Sequence, residues 1–250
     1  MDAAASKMIM FLHIDMDSAR VLCAEMIDTL HLIWEDKGSY ALLQGKQAHI
    51  DAFELWVKGF FKQGVILGEC LESIALERLT AQNLTLATAE SCTGGLLSYR
   101  FTRIAGASSV FVGGITSYAN VIKERILGVA HDDLRDFGAV SEPVVGQMLR
   151  GVLKQCGADI AIASSGVAGP SGGSVQKPVG SVFLGVQAAG KPPMIEQHFF
   201  ATNNLNLASK HHPIDYTQTT ISYHLTAREY IQLEASTKAL EMLIKYLNTM

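Results

Sequence analysis

The stretch AESCTGG at residues 89–95 sets a carboxylate (Glu90), two hydroxyls (Ser91 and Thr93) and a thiol (Cys92) beside two glycines, where an apolar run gives way to a helical pattern. A thiol at a helix N-terminus has its pKa lowered by the positive end of the helix dipole, which makes Cys92 a nucleophile in principle. Backbone N–H groups at Ser91, Thr93, Gly94 and Gly95, with the same dipole behind them, form a seat for an anion such as a nucleotide phosphate. The plain alternative is N-capping, with a glycine for tight helix packing. No histidine accompanies Cys92 in any motif, so the thiol has no evident base.

A second glycine-rich loop, SSGVAGPSGGSVQKPVG, follows an apolar run near residue 163. Gly166 and Gly169 let the backbone approach a ligand closely, Pro170 stiffens the turn, and Gly172 and Gly173 suit a flap. Substrate binding, with Ser165 lining the site, is the expectation. The lysine and hydroxyl of a Walker loop are missing from the required spacing. His198, His211, His212 and His224 fit no standard ligand spacing, so no metal is expected.

These residues need elements to hold them. From residue 84 onward, strand-like and helix-like segments alternate: strands at 84–89, 110–118, 159–163, 179–186 and 195–200, helices at 94–104, 120–127, 141–157 and 226–247. Ser141-Glu142-Pro143 reads as a helix start and Gly157 as its close. The nearly all-apolar strands at 159–163 and 179–186 indicate a sheet covered on both faces. The expected fold is a three-layer α/β/α sandwich with a mixed, mostly parallel sheet and the site at the strand ends. Residues 1–78 read as a small α/β extension with no chemical motif: strands at 7–14 and 39–43, helices at 18–34 and 50–61. An amphipathic helix follows at 69–81. Residues 79–250 form the main domain, and the polar segment 203–224 reads as an inserted loop.

The 250 residues, 48% apolar, suffice for a buried core. Net charge is −4 with acids and bases interspersed, so nucleic acid is not an expected partner. No apolar run approaches the roughly 20 residues of a membrane helix. No signal peptide is apparent. The four scattered cysteines suit reduced thiols in a cytoplasm.

In order along the chain, TAESCTGG, RIAGASSVF, GGITSYANVIK, GAVSEPVV and SSGVAGPSGGSVQKPVGSVFLGV resemble the C-terminal domain of the CinA family, which also occurs alone as nicotinamide mononucleotide deamidase. The resemblance implies hydrolysis of the carboxamide of nicotinamide mononucleotide to nicotinate mononucleotide and ammonia, in pyridine nucleotide salvage. It implies no metal or cofactor, and a serine, a tyrosine and a lysine as catalytic groups. Its register sets these at Ser108, Tyr118 and Lys123, with Ser109 the neighbour most easily confused with Ser108. The chemistry agrees: amide hydrolysis needs a nucleophile, a base and oxyanion donors, and a lysine serves as base when burial lowers its pKa from about 10.4. Ser-Lys pairs are a known alternative to Ser-His-Asp.

One departure stands out. The family's GDR motif is missing after Phe200, Arg228 takes the first arginine position after the insertion, and Gln232 stands at the second. If those arginines bind phosphate, Arg228 carries that contact alone. The expectation is a cytoplasmic homo-oligomer with a small nucleotide substrate. Its rivals are a CinA-like binding or regulatory module without turnover, and an amidase that uses Cys92. Residues 1–78 do not resemble the nucleotide-pyrophosphatase domain of full-length members.

Overall fold

A computed structural model describes residues 4–202 and 225–250, and the chain divides into two compact units between Arg78 and Leu79. The expected loop at 203–224, with His211, His212 and His224, lies outside the described residues.

The first unit runs β1 (Ala4–Phe11), α1 (Met16–Thr29), β2 (Ile33–Asp36), β3 (Ala41–Lys46), α2 (Gln47–Phe61), β4 (Val65–Gly68). Its strands pair antiparallel in the order β2-β3-β1-β4. A βαββαβ chain with this order is a ferredoxin-like arrangement. Alternation along β1 and β3 sends Ile9, Phe11, Ala41 and Leu43 into a core with Ala19, Cys23 and Ile27 of α1 and Ile50, Phe53 and Val57 of α2. Asp15 opens α1 by accepting from the backbone N–H of Ser18 at 2.8 Å. The sequence pattern runs this helix on to residue 34, whereas it ends at Thr29 and β2 follows a residue with positive φ, His31. Four-residue strands such as β2 and β4 are too short for a period of two to show, and neither was anticipated.

Helix α3 (Leu71–Ala81) spans the division and buries Leu71, Ile74, Ala75 and Leu79, the residues its periodicity marked. The second unit continues with β5 (Leu86–Glu90), α4 (Leu96–Thr102), β6 (Phe111–Thr116), α5 (Asn120–Leu127), α6 (His131–Asp136), α7 (Glu142–Cys156), β7 (Ile160–Gly166), β8 (Ser181–Ala188), β9 (Met194–Phe199) and α8 (Ala227–Leu247). The sheet order is β6-β5-β7-β8-β9, with β6, β5 and β7 parallel and β8 antiparallel to both its neighbours. On one face α7 packs Val144, Val145, Met148, Leu149 and Val152 against Ala87, Ala89, Ala161 and Ala163. The other face carries α4 and α8, tied by Arg100 Nη1 donating to Ser236 Oγ at 2.9 Å and Thr237 Oγ1 at 2.8 Å. This is the mixed α/β/α sandwich that the alternating pattern implied. Gly114 lets α4 approach the sheet, since a Cβ there would sit 2.2 Å from Ser98 Oγ and 2.3 Å from Thr88 Oγ1.

Because β5, β6 and β7 are parallel, Ser91, Ser117 and Gly166 all emerge at one edge of the sheet. In open α/β sheets ligands bind outside the carboxyl ends of the strands.

Candidate active site

At that edge Lys123, in the first turns of α5, turns its side chain inward and is 1% exposed. Its Nζ lies 3.0 Å from Ser91 Oγ and donates to the carbonyls of Ser117 at 2.6 Å and Tyr118 at 3.3 Å. A neutral amine has two N–H bonds and one lone pair. With the two carbonyls taking the N–H bonds, the lone pair is left for the Ser91 hydroxyl. Burial disfavours the ammonium and lowers the Lys123 pKa to about 8. A buried lysine base beside a hydroxyl is thus formed by Ser91 and Lys123.

The structure does not bring Ser108 into this group. Ser108 is exposed in a 3-10 turn, Ala107–Ser109, that leads into β6, whereas Tyr118 and Lys123 follow the far end of that strand. At about 3.3 Å per residue, the six residues of β6 hold them apart by on the order of 20 Å. Ser109 is exposed in the same turn and bonds the Gly106 carbonyl at 2.9 Å. The spacing itself contained the warning, since a strand lies between the serine and the lysine. Tyr118 gives Lys123 its backbone carbonyl only. Tyr118 is 59% exposed, and its phenol oxygen accepts from Arg228 Nη2 at 2.6 Å.

The turn after β5 is built differently from an open anion seat. Fully buried Glu90 folds its carboxylate under the start of α4 and accepts from the backbone N–H groups of Gly95 (2.9 Å), Leu97 (3.0 Å) and Ser98 (2.8 Å), and from the hydroxyls of Thr93 (2.8 Å) and Ser98 (2.6 Å). The anion at this helix start is the protein's own. Thr93 is buried, its hydroxyl also 2.7 Å from Ser164 Oγ, and Gly94 and Gly95 adopt positive φ to form the turn. The expectation that Thr93, Gly94 and Gly95 receive a phosphate is therefore corrected, because the Thr93 hydroxyl and the Gly95 N–H donate to Glu90 and the Gly94 N–H donates to the Ser91 carbonyl at 3.2 Å. An acid directly before a helix start was the sequence signal for this, and it was missed. Glu90→Ala, which orphans buried donors, is expected to lower stability by about 3 kcal/mol or more, read as a fall in melting temperature, with Glu90→Gln intermediate.

Cys92 is buried as well, and burial pushes its thiol up to about 12, with the Glu90 carboxylate adding to the rise. The lowered pKa expected at a helix N-terminus is overturned by desolvation. Cys92 is a thiol at working pH.

A cavity of about 450 Å3 opens onto Ser91 and Lys123. Ser165, Gly166, Gly169 and Arg228 line it, as do Tyr118 and Asn120. Arg228 bridges its mouth, with Nη1 donating to the Gly169 carbonyl at 2.5 Å and Nη2 to Tyr118. Ser165 Oγ donates to the Ala139 carbonyl at 2.7 Å. The two glycines answer to the chain itself as well as to the cavity: a Cβ at either would come within 2.6 Å of Val182 or Val179.

Residues 69–216 match the CinA C-terminal domain. This chain belongs to the CinA C-terminal domain family. A CinA-like protein of Thermotoga sp. (strain RQ2) is 39% identical over 180 residues, 72% of this chain and 38% of that protein. One from Chlorobium limicola is 52% identical over 121 residues, 48% of this chain and 28% of that protein. The chain therefore spans well under half the length of these curated relatives. Among solved structures, the competence/damage inducible protein CihA from Agrobacterium tumefaciens matches with TM-score 0.59 at 35% identity, over 71% of this chain and 95% of that one. The competence damage-inducible protein A (ComA) from Klebsiella pneumoniae subsp. pneumoniae MGH 78578 matches with TM-score 0.60 at 30% identity, also over 71% and 95%. The CinA match begins at residue 69, after the six ferredoxin-like elements.

Within this CinA domain Gln232 does not face the cavity. Its Nε2 donates to the Cys92 carbonyl at 2.9 Å, so it braces the turn that carries Ser91. His198 is half-buried, stacks on Phe200 and pairs with Glu196. Among the described residues no cluster of three His, Cys, Asp or Glu side chains could hold a metal ion, and no helix is long and apolar enough to cross a membrane.

Proposed function

We infer that the chain is an amidohydrolase of the Ser-Lys type, acting on the carboxamide of nicotinamide mononucleotide. The observation that carries this is the 3.0 Å approach of buried Lys123 Nζ to Ser91 Oγ at the floor of a cavity. Neutral Lys123 takes the proton of Ser91 as Oγ attacks the amide carbon. The tetrahedral oxyanion forms beside the N–H of Cys92, which lines the cavity and meets no carbonyl or hydroxyl acceptor among the described residues. The N–H that follows a nucleophile at a strand-to-helix turn is a recurrent oxyanion donor. Lys123 then returns the proton to the departing nitrogen, releasing ammonia and leaving an acyl ester on Ser91. A water deprotonated by Lys123 hydrolyses that ester to the carboxylate. Residues 79–250 carry the activity in this reading.

Arg228 and Tyr118 at the mouth suit the nucleotide's phosphate and ring. Arg228→Ala is expected to raise KM roughly ten- to a hundredfold through loss of a charge-assisted contact of about 1.5–3 kcal/mol, with kcat changed far less. Unchanged KM would remove Arg228 from substrate binding. The reading as a whole is tested by incubating purified protein with nicotinamide mononucleotide and measuring ammonia and nicotinate mononucleotide. Binding without ammonia release would favour a CinA-like module that has lost turnover.

A further inference from the structure

Within the ferredoxin-like unit, Ser6 of β1, Ile33 of β2, Gln44 of β3 and the start of α2 border an open hollow of about 610 Å3. His31, Lys46 and His49 line it. Among the described residues none of these three side chains has a hydrogen-bond or ion-pair partner. Elsewhere in the unit Lys7 and Lys58 are matched by Glu54, and Lys37 by Glu35. Among the described residues no Asp or Glu lines the hollow. Glu35, which accepts from Gln44 Nε2 at 3.4 Å, is already held by Lys37. Neutral donors at Ser6 and Gln44 complete a set of groups that present protons, and Ile33, 62% exposed, supplies an apolar wall beside them.

We propose that this hollow is a binding site for a small organic anion, a phosphate or carboxylate joined to an apolar body. Concave sites for small molecules combine an apolar surface with a few convergent polar groups, and here the convergent groups are an ammonium and two imidazoles with no counter-charge among the described residues. The site draws only on residues 5–49 and does not depend on the amidase reading. The anionic group sits between Lys46 and His49, with His31 closing from the side, and the body of the ligand lies along Ile33.

The full-length protein, titrated with phenyl phosphate and followed by two-dimensional NMR, tests this. Saturable shifts are expected at the backbone amides of Gly45, Lys46 and His49, and the Arg228→Ala variant should show the same shifts. Lys46→Met should weaken binding by roughly tenfold or more, and Lys46→Met with His49→Gln should abolish it. Lys46 is exposed and His49 partly so, and the variants should keep the wild-type spectrum elsewhere. Inorganic phosphate should bind more weakly, and phenol should leave these amides unshifted. The proposal is overturned by the absence of saturable shifts there, by equal affinity in the double variant, by phenol binding as well as phenyl phosphate, or by inorganic phosphate matching it.

Discussion

Ser91→Ala is expected to lower turnover of nicotinamide mononucleotide by at least about a thousandfold while the fold persists. The Ser91 side chain is small, and its hydrogen bond to Lys123 Nζ is replaceable by water in a cavity that opens to solvent. Ser108→Ala should leave turnover near that of the wild type, because its hydroxyl is exposed at the opposite edge of the sheet from Lys123. Mass spectrometry after treatment with a sulfonyl fluoride gives a readout independent of substrate: the label should fall on Ser91 and be lost in Ser91→Ala. Labelling of Ser108, or full activity in Ser91→Ala, would sink the assignment. Cys92→Ala should reduce activity modestly through repacking.

Lys123→Met should abolish activity at every pH, and Lys123→Arg should fail as well, since a guanidinium stays charged and cannot accept the serine proton. With a pKa of about 8, roughly a tenth of Lys123 is neutral at pH 7, so the wild-type rate should rise about tenfold from pH 7 and level off above pH 8–9. A stability effect that also rises with pH accompanies it. Below pH 8 the folded protein holds a buried ammonium whose pKa is depressed from 10.5, a cost on the order of 3 kcal/mol. Between pH 8 and 10.5 the unfolded chain binds the proton that the folded one has released, so wild-type stability from this group rises with pH across that window. Lys123→Met removes the cost. The variant should therefore melt higher than the wild type at pH 7, and the advantage should shrink as pH approaches 10.5. A pH–rate profile flat from pH 6 to 9 would exclude Lys123 as the base.

Much of this protein was legible one segment at a time. Apolar runs at 84–89, 159–163 and 179–186 implied buried strands, and β5, β7 and β8 lie there with every residue but Phe183 and Gly166 buried. Pro143 early in a helix and Gly157 after it delimited α7, because one residue lacks an N–H and the other tolerates positive φ. The CinA motifs named the family and singled out Lys123, which lines the candidate cavity. In the first unit the helices showed and the order of the sheet did not, since β2 and β4 have four residues each.

What the sequence by itself determined was therefore which segments are strand and helix, where the turns fall, and which residue types stand at the strand ends. Tertiary structure alone decided which of them meet. The register of the family resemblance grouped Ser108 with Lys123, but β6 runs between them as an extended strand and carries them to opposite edges, while parallel pairing of β5 with β6 brings Ser91, from far earlier in the chain, to 3.0 Å from Lys123. It also decided the protonation states. A helix N-terminus should lower a thiol's pKa and receive an anion, yet burial raises Cys92 to about 12 and Glu90 fills the anion's place. Desolvation depends on everything packed around a group, and no local pattern of residues carries that information.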